Sequence, residues 1–214
     1  MDDRVRPLQP DELPATVDAV ARAFADDPMF RVVFPGGSRR RHRQLRRLFT
    51  PMFRHAMHHA GAFTTEDYAG GALLLPPAGQ RFHLSDMVRA GLVWVPLRIG
   101  PAAFRRFSSI QTTFDRVREQ VVQARPCATL LAGGVIPQHR GRGLGRALMQ
   151  ARLDVADRLG LPTYLETVVP GNVELFRKFG FETRRRASVH LASTAKTLPL
   201  WAMLREPGGL EPRR

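Results

Sequence analysis

A run of glycines and arginines in the middle of the chain has the residue types that bind phosphate. Gly141, Gly143 and Gly145 alternate with Arg142 and Leu144. Glycine permits a positive φ and a close approach of the backbone to a ligand. The first N–H groups of a helix have no internal partner and lie at the positive end of its dipole. Because a helical pattern of apolar residues starts at Leu144, the stretch predicts an anion site at a helix N-terminus.

Two well-known phosphate-binding loops do not fit this stretch. The dinucleotide fingerprint requires a third glycine three residues after the second, and Arg146 stands there. The nucleoside-triphosphate loop requires Gly-Lys-Ser/Thr, a triplet that the sequence does not contain. What remains is Arg140-x-x-Gly143-x-Gly145, directly after a segment that ends in Val135-Ile136-Pro137.

A loop of this kind needs a strand before it and a helix after it, and the sequence predicts both. The apolar run 128–136 indicates a buried strand that ends at Pro137, because proline cannot donate to a sheet. Apolar residues then recur at helical spacing over 144–159. Gly160 and Pro162 are typical of the end of a helix.

A second strand and helix follow at a short distance. The segment 164–167 predicts a strand, and the next helix would begin at Asn172, as its N-cap, and end at Gly180. The two motifs in this order resemble the GNAT N-acetyltransferase superfamily. Leu-Glu-Thr at 165–167 and the closing segment 201–205 are similar to its puromycin N-acetyltransferase-like branch.

The resemblance implies an α/β fold with a mixed, mostly antiparallel central sheet of six to seven strands. Helices would flank this sheet, with a helical insertion between strands 3 and 4. Residues 1–214 would then be a single acyl-CoA N-acyltransferase domain. Its parts would be an acceptor-side half, 1–127, with the insertion at about 84–123, a coenzyme A-binding half, 128–205, and a flexible tail, 206–214.

The resemblance also implies acetyl-CoA as acyl donor, a primary amine as acceptor and direct attack in a ternary complex, with no metal. Backbone N–H groups near Val135, where the strand would splay before Pro137, are expected to donate to the thioester oxygen. Matching the two motifs residue by residue assigns these positions to the donor: Val135, Ile136, Pro137, Arg140, Gly141, Arg142, Gly143, Leu144, Gly145, Arg146, Asn172 and Phe176.

The catalytic base that we expect is Glu166, which lies on the predicted second strand beside the next helix and would relay a proton from the amine through water. The alternative for Glu166 is a structural role, and weaker candidates for the base are Glu66, Asp67 and His190. Many relatives carry a tyrosine acid where this sequence has Phe176. Either no side chain protonates the leaving thiolate, or another group such as Tyr164 does so.

The N-terminal half shows the resemblance less clearly, and its elements are predicted from patterning. The insertion would cover the acceptor side of the cleft, form a dimer interface or act as a lid. The turn 29–34 would either line the acceptor site, as the resemblance implies, or pack in the core, and for Phe30 and Phe34 we expect the core. The predicted strands are 4–8, 61–66 and 70–75, and the helices are 11–25 capped by Asp11, one capped by Ser38, 84–99 and 101–122. Strands at 181–191 and 198–204 would close the sheet.

The net charge of +14 is unusual. It suits an anionic donor and keeps open a nucleic-acid partner, a weaker alternative because no recognition motif is present.

The arginine-rich segment 39–47 is typical of a solvated helix face. His55, His58 and His59 share one helix face, but no Glu or Cys completes a metal set, and we expect no metal there.

Two further observations bound the class of protein. The single cysteine, Cys127, excludes an intramolecular disulfide. No apolar run is long enough to cross a bilayer and the N-terminus lacks a secretory signal, so we expect a cytoplasmic protein without a membrane partner. A homodimer stays open. Alternatives to a small-molecule N-acetyltransferase on the same fold are a non-catalytic acyl-CoA-sensing or nucleic-acid-binding protein and a protein-amine acetyltransferase.

Overall fold

Seven strands form one open sheet in the computed structural model, which describes residues 2–80, 83–190 and 197–208. The strands are β1 (Val5–Pro7), β2 (Ala62–Thr65), β3 (Gly70–Leu75), β4 (Ala128–Val135), β5 (Thr163–Thr167), β6 (Glu182–His190) and β7 (Thr197–Arg205). Their order is β1-β2-β3-β4-β5-β7-β6. Every neighbouring pair is antiparallel except β4 and β5, which are parallel. The predicted mixed, mostly antiparallel sheet is confirmed.

Helices cover both faces of this sheet. Within the described ranges they are α1 (Leu13–Ala23), α2 (Pro28–Val33), α3 (Ser38–His58), α4 (Leu84–Ala90), α5 (Val95–Ile99), α6 (Pro101–Val122), α7 (Leu144–Arg158) and α8 (Pro170–Arg177). One apolar core lies between the sheet and α1, α2, α3, α5 and α6, a side that we call the α6 face. A second core lies under α7 and α8, on the α7 face. Side chains alternate between the two, so Tyr164 lies on the α6 face and Leu165 on the α7 face.

The insertion lies between β3 and β4, as predicted, and comprises α4, α5 and α6. The segment 84–99 is two short helices rather than one, because Gly91 takes a left-handed conformation at φ 80° and ends α4. Gly100, at φ 86°, separates α5 from α6. The long helix α6 packs against α2, α5, β6 and β7.

Two helix starts before α3 differ from the predictions. The segment after Asp27 is helix α2 and not a turn, since the Asp27 carboxylate accepts from the N–H groups of Met29 (2.9 Å) and Phe30 (3.3 Å) as an N-cap. Asp11 lies in a short 3-10 turn before α1 and does not cap that helix. Phe30 and Phe34 are buried, which confirms their predicted place in the core.

The arginine-rich helix α3 is only partly a solvated face. It begins at Ser38, and Gly37 is its N-cap, so the predicted Ser38 cap is wrong. Arg41 is buried and donates to the carbonyl oxygens of Ala25, Phe34 (3.2 Å) and Gly36 (2.8 Å). One arginine of the run therefore holds the α1–α2 and α2–α3 connections together.

Candidate active site

The site is a gap in the middle of the sheet. The parallel strands β4 and β5 pair over three residues only, from Ala128↔Thr163 to Leu130↔Leu165. At this point β4 carries a bulge, because Leu73 pairs with Ala132 and Leu74 with Leu130, which leaves Leu131 without a partner on β3. Beyond the bulge β4 continues beside β3, and β5 continues beside β7.

Two backbone N–H groups of β4 face this gap. The Ile136 N–H donates to the Ala69 oxygen (2.8 Å) on the β3 side. Because alternate residues of a strand direct their N–H groups to opposite edges, Val135 and Gly133 direct theirs away from β3. The strands separate from Leu131 onward, which is four residues earlier than the splay expected at Val135.

The glycine-rich loop follows directly. Pro137–His139 forms a short 3-10 turn, and Gly141 and Gly143 take positive φ values of 80° and 79°. The first internal bond of α7 runs from the Ala147 N–H to the Gly143 oxygen (3.0 Å), so the N–H groups before Ala147 have no partner within the helix. A Cβ atom built on Gly145 would meet nothing within 4 Å. The loop thus has free donors and open space above them.

Positive charge and fixed geometry surround this loop. Arg140, Arg142 and Arg146 are exposed, and the Arg140 Nε donates back to the Val135 oxygen (3.4 Å). Arg4, held by Asp2, donates to the Arg142 oxygen (2.8 Å). These groups favour an anion at the start of α7.

A second contact ties the loop to the β2–β3 turn. The His139 Nδ1 lies 3.0 Å from the Asp67 Oδ2. The sequence marks Asp67 only as a weak candidate for the base. In the structure its carboxylate also accepts from the Thr65 hydroxyl (2.8 Å) and the Ala69 N–H (3.0 Å), so Asp67 supports the loop.

Helix α8 starts earlier than predicted, at Pro170, so Asn172 lies in its first turn and is not the N-cap. Proline at the first helical position is pre-organised for a helix start, which explains the shift. The Asn172 Nδ2 donates to the Thr167 hydroxyl (3.3 Å) and joins α8 to the end of β5. Gly180, at φ 85°, follows the helix as predicted. The ring of Phe176 packs on Phe181, with centroids 6.2 Å apart.

Glu166 is the first residue of β5 past its last pairing with β4. Its carboxylate accepts from the Tyr164 hydroxyl (2.6 Å), and both side chains belong to the α6 face. Burial raises the pKa of Glu166 to about 8; the Tyr164 hydrogen bond and Arg118 oppose this shift, while the charge of Asp115 adds to it. A carboxyl group with this pKa is suited to proton transfer near neutral pH.

Tyr164 is poorly placed to act as an acid. It is fully buried, and burial together with the neighbouring Glu166 carboxylate raises its pKa. The guanidinium of Arg118 lies 5.9 Å from the centre of its ring and also reaches the Thr129 hydroxyl (3.4 Å). Tyr164 therefore holds the carboxylate of Glu166 in place and keeps its own proton in that bond.

The other polar candidates lie away from the gap. Glu66 is exposed in the β2–β3 turn, and His190 is exposed at the end of β6, with its Nδ1 3.4 Å from the Thr197 hydroxyl. His55 Nε2 lies 2.7 Å from the Gly79 oxygen. Among the described residues no three metal-ligating side chains are grouped together. A cavity of about 550 Å³ opens near Cys127 and the end of α6, at the opposite end of β4.

Three contributors to this region are not predicted by the sequence patterns: Arg4, the Asp67–His139 contact and Arg152. Arg4 and the Asp67–His139 contact bring together residues far apart in the chain, so no local sequence pattern predicts them. Arg152 is different, since it lies four residues after Leu148 on the predicted apolar stripe of α7. An arginine on such a stripe is the signal that could have identified it.

The residues present fit a coenzyme A thioester. Unpaired amides and arginines suit its phosphates, and the backbone N–H groups of Val135 and Gly133 suit the extended arm and the acyl oxygen.

In the described part of the chain, no helix has the length and apolar character required to cross a bilayer.

Comparison with known proteins agrees with this fold. The model of the acetyltransferase (GNAT) family matches residues 27–181. An uncharacterized N-acetyltransferase of Schizosaccharomyces pombe is 27% identical over 192 residues, covering 86% of this chain and 76% of the relative. The chain belongs to the GNAT acetyltransferase family.

Solved structures share the fold at low sequence identity. A histone acetyltransferase HPA2-related protein of Corynebacterium glutamicum is 21% identical, with a TM-score of 0.62, and 98% of each chain is covered. A Drosophila melanogaster polyamine N-acetyltransferase, which forms N-acetylagmatine, is 14% identical, with a TM-score of 0.64, covering 94% of this chain and 98% of that chain. The GNAT fold that the sequence predicts is confirmed.

Proposed function

We propose that this protein transfers an acetyl group from acetyl-CoA to the primary amine of a small molecule, by direct attack in a ternary complex. The observation that carries the proposal is the β4–β5 gap. Backbone N–H groups line the β4 edge of the gap, and Glu166 stands at the start of its β5 edge. The family and the glycine-rich loop beside the gap support the same donor.

When bound, acetyl-CoA would supply an acyl group activated as a thioester. The loop 140–146 would hold its phosphates through the unpaired amides at the start of α7 and the arginines around them. The Val135 N–H would donate to the acyl oxygen and stabilise the negative charge that develops there. Glu166 would accept a proton from the amine, directly or through water.

A covalent route through cysteine is disfavoured. Cys127 is buried next to the start of β4, with its Sγ 3.4 Å from the Ala128 oxygen. Burial raises its pKa to about 11, so almost no thiolate exists at neutral pH. Direct attack by the amine needs no such nucleophile.

The leaving thiolate would depart without a side-chain acid. Phe176 carries no proton, and the Tyr164 hydroxyl is buried and bonded to Glu166. A thiol has a reference pKa of about 8.5, so its thiolate is a tolerable leaving group. Glu166 would then release to water the proton that it took from the amine, which completes the reaction.

The acceptor that we propose is a small cationic amine. The negative charge of Asp115 acts on Glu166 and would attract a protonated amine toward this side of the gap, where ionised Glu166 would take up its proton. The Drosophila polyamine N-acetyltransferase, which shares the fold, forms N-acetylagmatine. Assignment to the puromycin-acetylating branch, a cytoplasmic location and a homodimer stay predictions.

One observation favours a second candidate. Phe176 stands where many relatives carry the acid, which suits a protein that binds acyl-CoA without turning it over. Saturable acetyl-CoA binding without transfer to any amine of a broad panel would support this sensor.

Thermal unfolding with and without acetyl-CoA tests the donor. At about 100 times Kd, linkage predicts a stabilisation of about 2.7 kcal/mol, or roughly 5–10 °C for a chain of this size. AMP and NADH at the same concentration are controls and should give no comparable shift. Absence of a shift at millimolar acetyl-CoA would overturn the proposal, and a shift would justify an amine screen with thiol detection.

A further inference from the structure

Arg152 lies in the interior of the protein, in the middle of α7 and against β4. Its side chain is 5% exposed. Nε donates to the Leu148 oxygen (3.1 Å), Nη1 to the Ala132 oxygen (3.1 Å) and Nη2 to the Met149 sulfur (3.6 Å). Each nitrogen therefore has a partner, and none of these partners carries a charge.

The charge of Arg152 is unpaired within the described residues, because no carboxylate lies within 4 Å of its guanidinium. Arg205 provides the contrast: it is equally buried, and its Nη1 lies 2.7 Å from the Asp157 carboxylate. Burial lowers the pKa of Arg152 to about 10, so the group remains protonated at neutral pH. A buried cation without a counter-ion is costly, and a residue that only filled space would not need the charge.

The Ala132 carbonyl, which accepts a hydrogen bond from the charged guanidinium, belongs to a peptide group at the gap. The Ala132 oxygen and the Gly133 N–H are the two ends of one peptide unit. Ala132 pairs with Leu73 on β3, so the Gly133 N–H is directed to the other edge, into the β4–β5 gap. A charged donor on the oxygen polarises the unit and makes its N–H a stronger donor.

Glycine at position 133 is what permits this contact. A Cβ atom built there would lie 2.9 Å from Nη1 and 3.0 Å from Nη2 of Arg152. On the other face of the strand, a Cβ atom built on Gly134 would lie 2.8 Å from the Ala23 Cβ. The two glycines let β4 lie between the guanidinium on the α7 face and the end of α1 on the α6 face.

We propose that Arg152 is a positioning residue that fixes and polarises the Ala132–Gly133 peptide group, so that the Gly133 N–H binds the thioester arm of the acyl donor. This inference rests on the proposed function, since it assumes a donor in the gap. It assigns an electrostatic role to an arginine outside the glycine-rich loop.

A series at position 152 separates charge from hydrogen bonding. Lysine keeps both a charge and a donor, glutamine keeps a neutral donor, and methionine keeps only the volume. We expect kcat/KM for acetyl-CoA to stay within about 3-fold of wild type in Arg152→Lys and to fall about 10-fold or more in Arg152→Met, with Arg152→Gln between them. The amide proton of Gly133 in the ligand-free protein should move upfield in the same order.

Stability distinguishes this role from a structural one. Replacing an unpaired buried charge by an apolar residue is often neutral or stabilising, so Arg152→Met should unfold at the same denaturant concentration as wild type or a higher one. Arg205→Met is the matched control: it should lose stability and leave both the Gly133 resonance and the turnover of the folded enzyme unchanged.

The outcomes are separable. If the wild-type chain neither binds nor uses acetyl-CoA, the proposed function fails. If it does, but Arg152→Met and Arg152→Gln match wild type in kcat/KM and in the Gly133 resonance, the inference on Arg152 fails. If Arg152→Met does not fold, Arg152→Gln against Arg152→Lys decides. The inference would also fail if the loss of kcat/KM in these variants followed their loss of free energy of unfolding and not their loss of charge.

Discussion

The hydroxyl of Tyr164 donates to the carboxylate of Glu166 across 2.6 Å, just where β5 leaves β4. The bond fixes one oxygen of a carboxyl group whose pKa burial raises to about 8. The second oxygen is not used by Tyr164. Glu166 is thus held at the edge of the gap in a form that gains and loses a proton near neutral pH.

The first prediction concerns the pH dependence of turnover. If Glu166 is the base, kcat should rise with pH through about 8, because only the ionised carboxylate accepts a proton. Glu166→Gln should lose this slope and lower kcat at pH 8 by roughly 100-fold. Glu66→Gln, at an exposed position, is the control. A Glu166→Gln rate within a factor of two of wild type would remove Glu166 as base.

Stability should depend on the same group. The pKa of Glu166 is about 8 in the folded protein and 4.5 in its ordinary environment. Between these values the unfolded chain ionises first, so the wild type loses stability as pH rises from 4.5 to 8. Glu166→Gln should therefore gain stability relative to wild type over this range, by roughly 2–5 kcal/mol at pH 8.5. Urea titrations at pH 5 and 8.5 measure it, and a pH-independent difference would contradict the assignment.

Gly145 allows donor binding to be tested without damaging the fold. A side chain there meets open space, and leucine favours a helix over glycine by up to about 1 kcal/mol. Gly145→Leu should thus keep or raise the unfolding temperature of the free protein while its stabilisation by acetyl-CoA falls. Gly37→Leu, also in open space, is the control and should keep the shift. A full acetyl-CoA shift in Gly145→Leu would contradict the loop assignment.

Phe176→Tyr tests whether the missing acid limits the rate. The ring is only partly buried, so a hydroxyl can be added without a new buried polar group. We expect kcat to rise about 10-fold or more if thiolate departure is slow. Phe176→Leu, which removes the ring without adding a proton donor, should not raise it. An unchanged rate in Phe176→Tyr would indicate that departure of the thiolate is not limiting.

The buried Arg41 and the exposed Arg40 allow a structural arginine to be compared with a solvated one on the same helix. Arg41→Met would leave three carbonyl oxygens without this donor, and the free energy of unfolding should fall by about 2–4 kcal/mol. Arg40→Met, at an exposed position of the same helix, should change it by less than about 0.5 kcal/mol. Urea unfolding of the pair checks the difference, and equal values would show that the buried bonds carry no net stability.

The sequence predicted the parts of the site that are local in the chain. The glycine-rich loop, the strand before it and the helix after it follow one another, and each has its own signal of periodicity or turn chemistry. The place of Glu166 followed from one short strand. The mixed, mostly antiparallel character of the sheet and the position of the insertion followed from the resemblance to a family.

Contacts between distant residues, and the start of some helices, were not predictable in this way. Asn172 was an attractive N-cap, but Pro170 is a stronger helix start and lies two residues earlier. The bulge at Leu131 is set by pairing with β3, which no pattern within β4 records. The role of Arg152 depends on which peptide group it meets across the sheet, and that is a property of the fold.

The short pairing of β4 with β5 makes the sheet two half-sheets joined by a seam of three residue pairs. An unpaired strand edge on the outside of a protein invites association with other chains. Here the unpaired edge lies in the interior of the sheet, flanked by β3 on one side and by β5 and β7 on the other. The fold thus leaves a strand edge open for the extended ligand that we propose, while the strands on both sides of that edge separate it from the outer edges of the sheet, where other chains could pair.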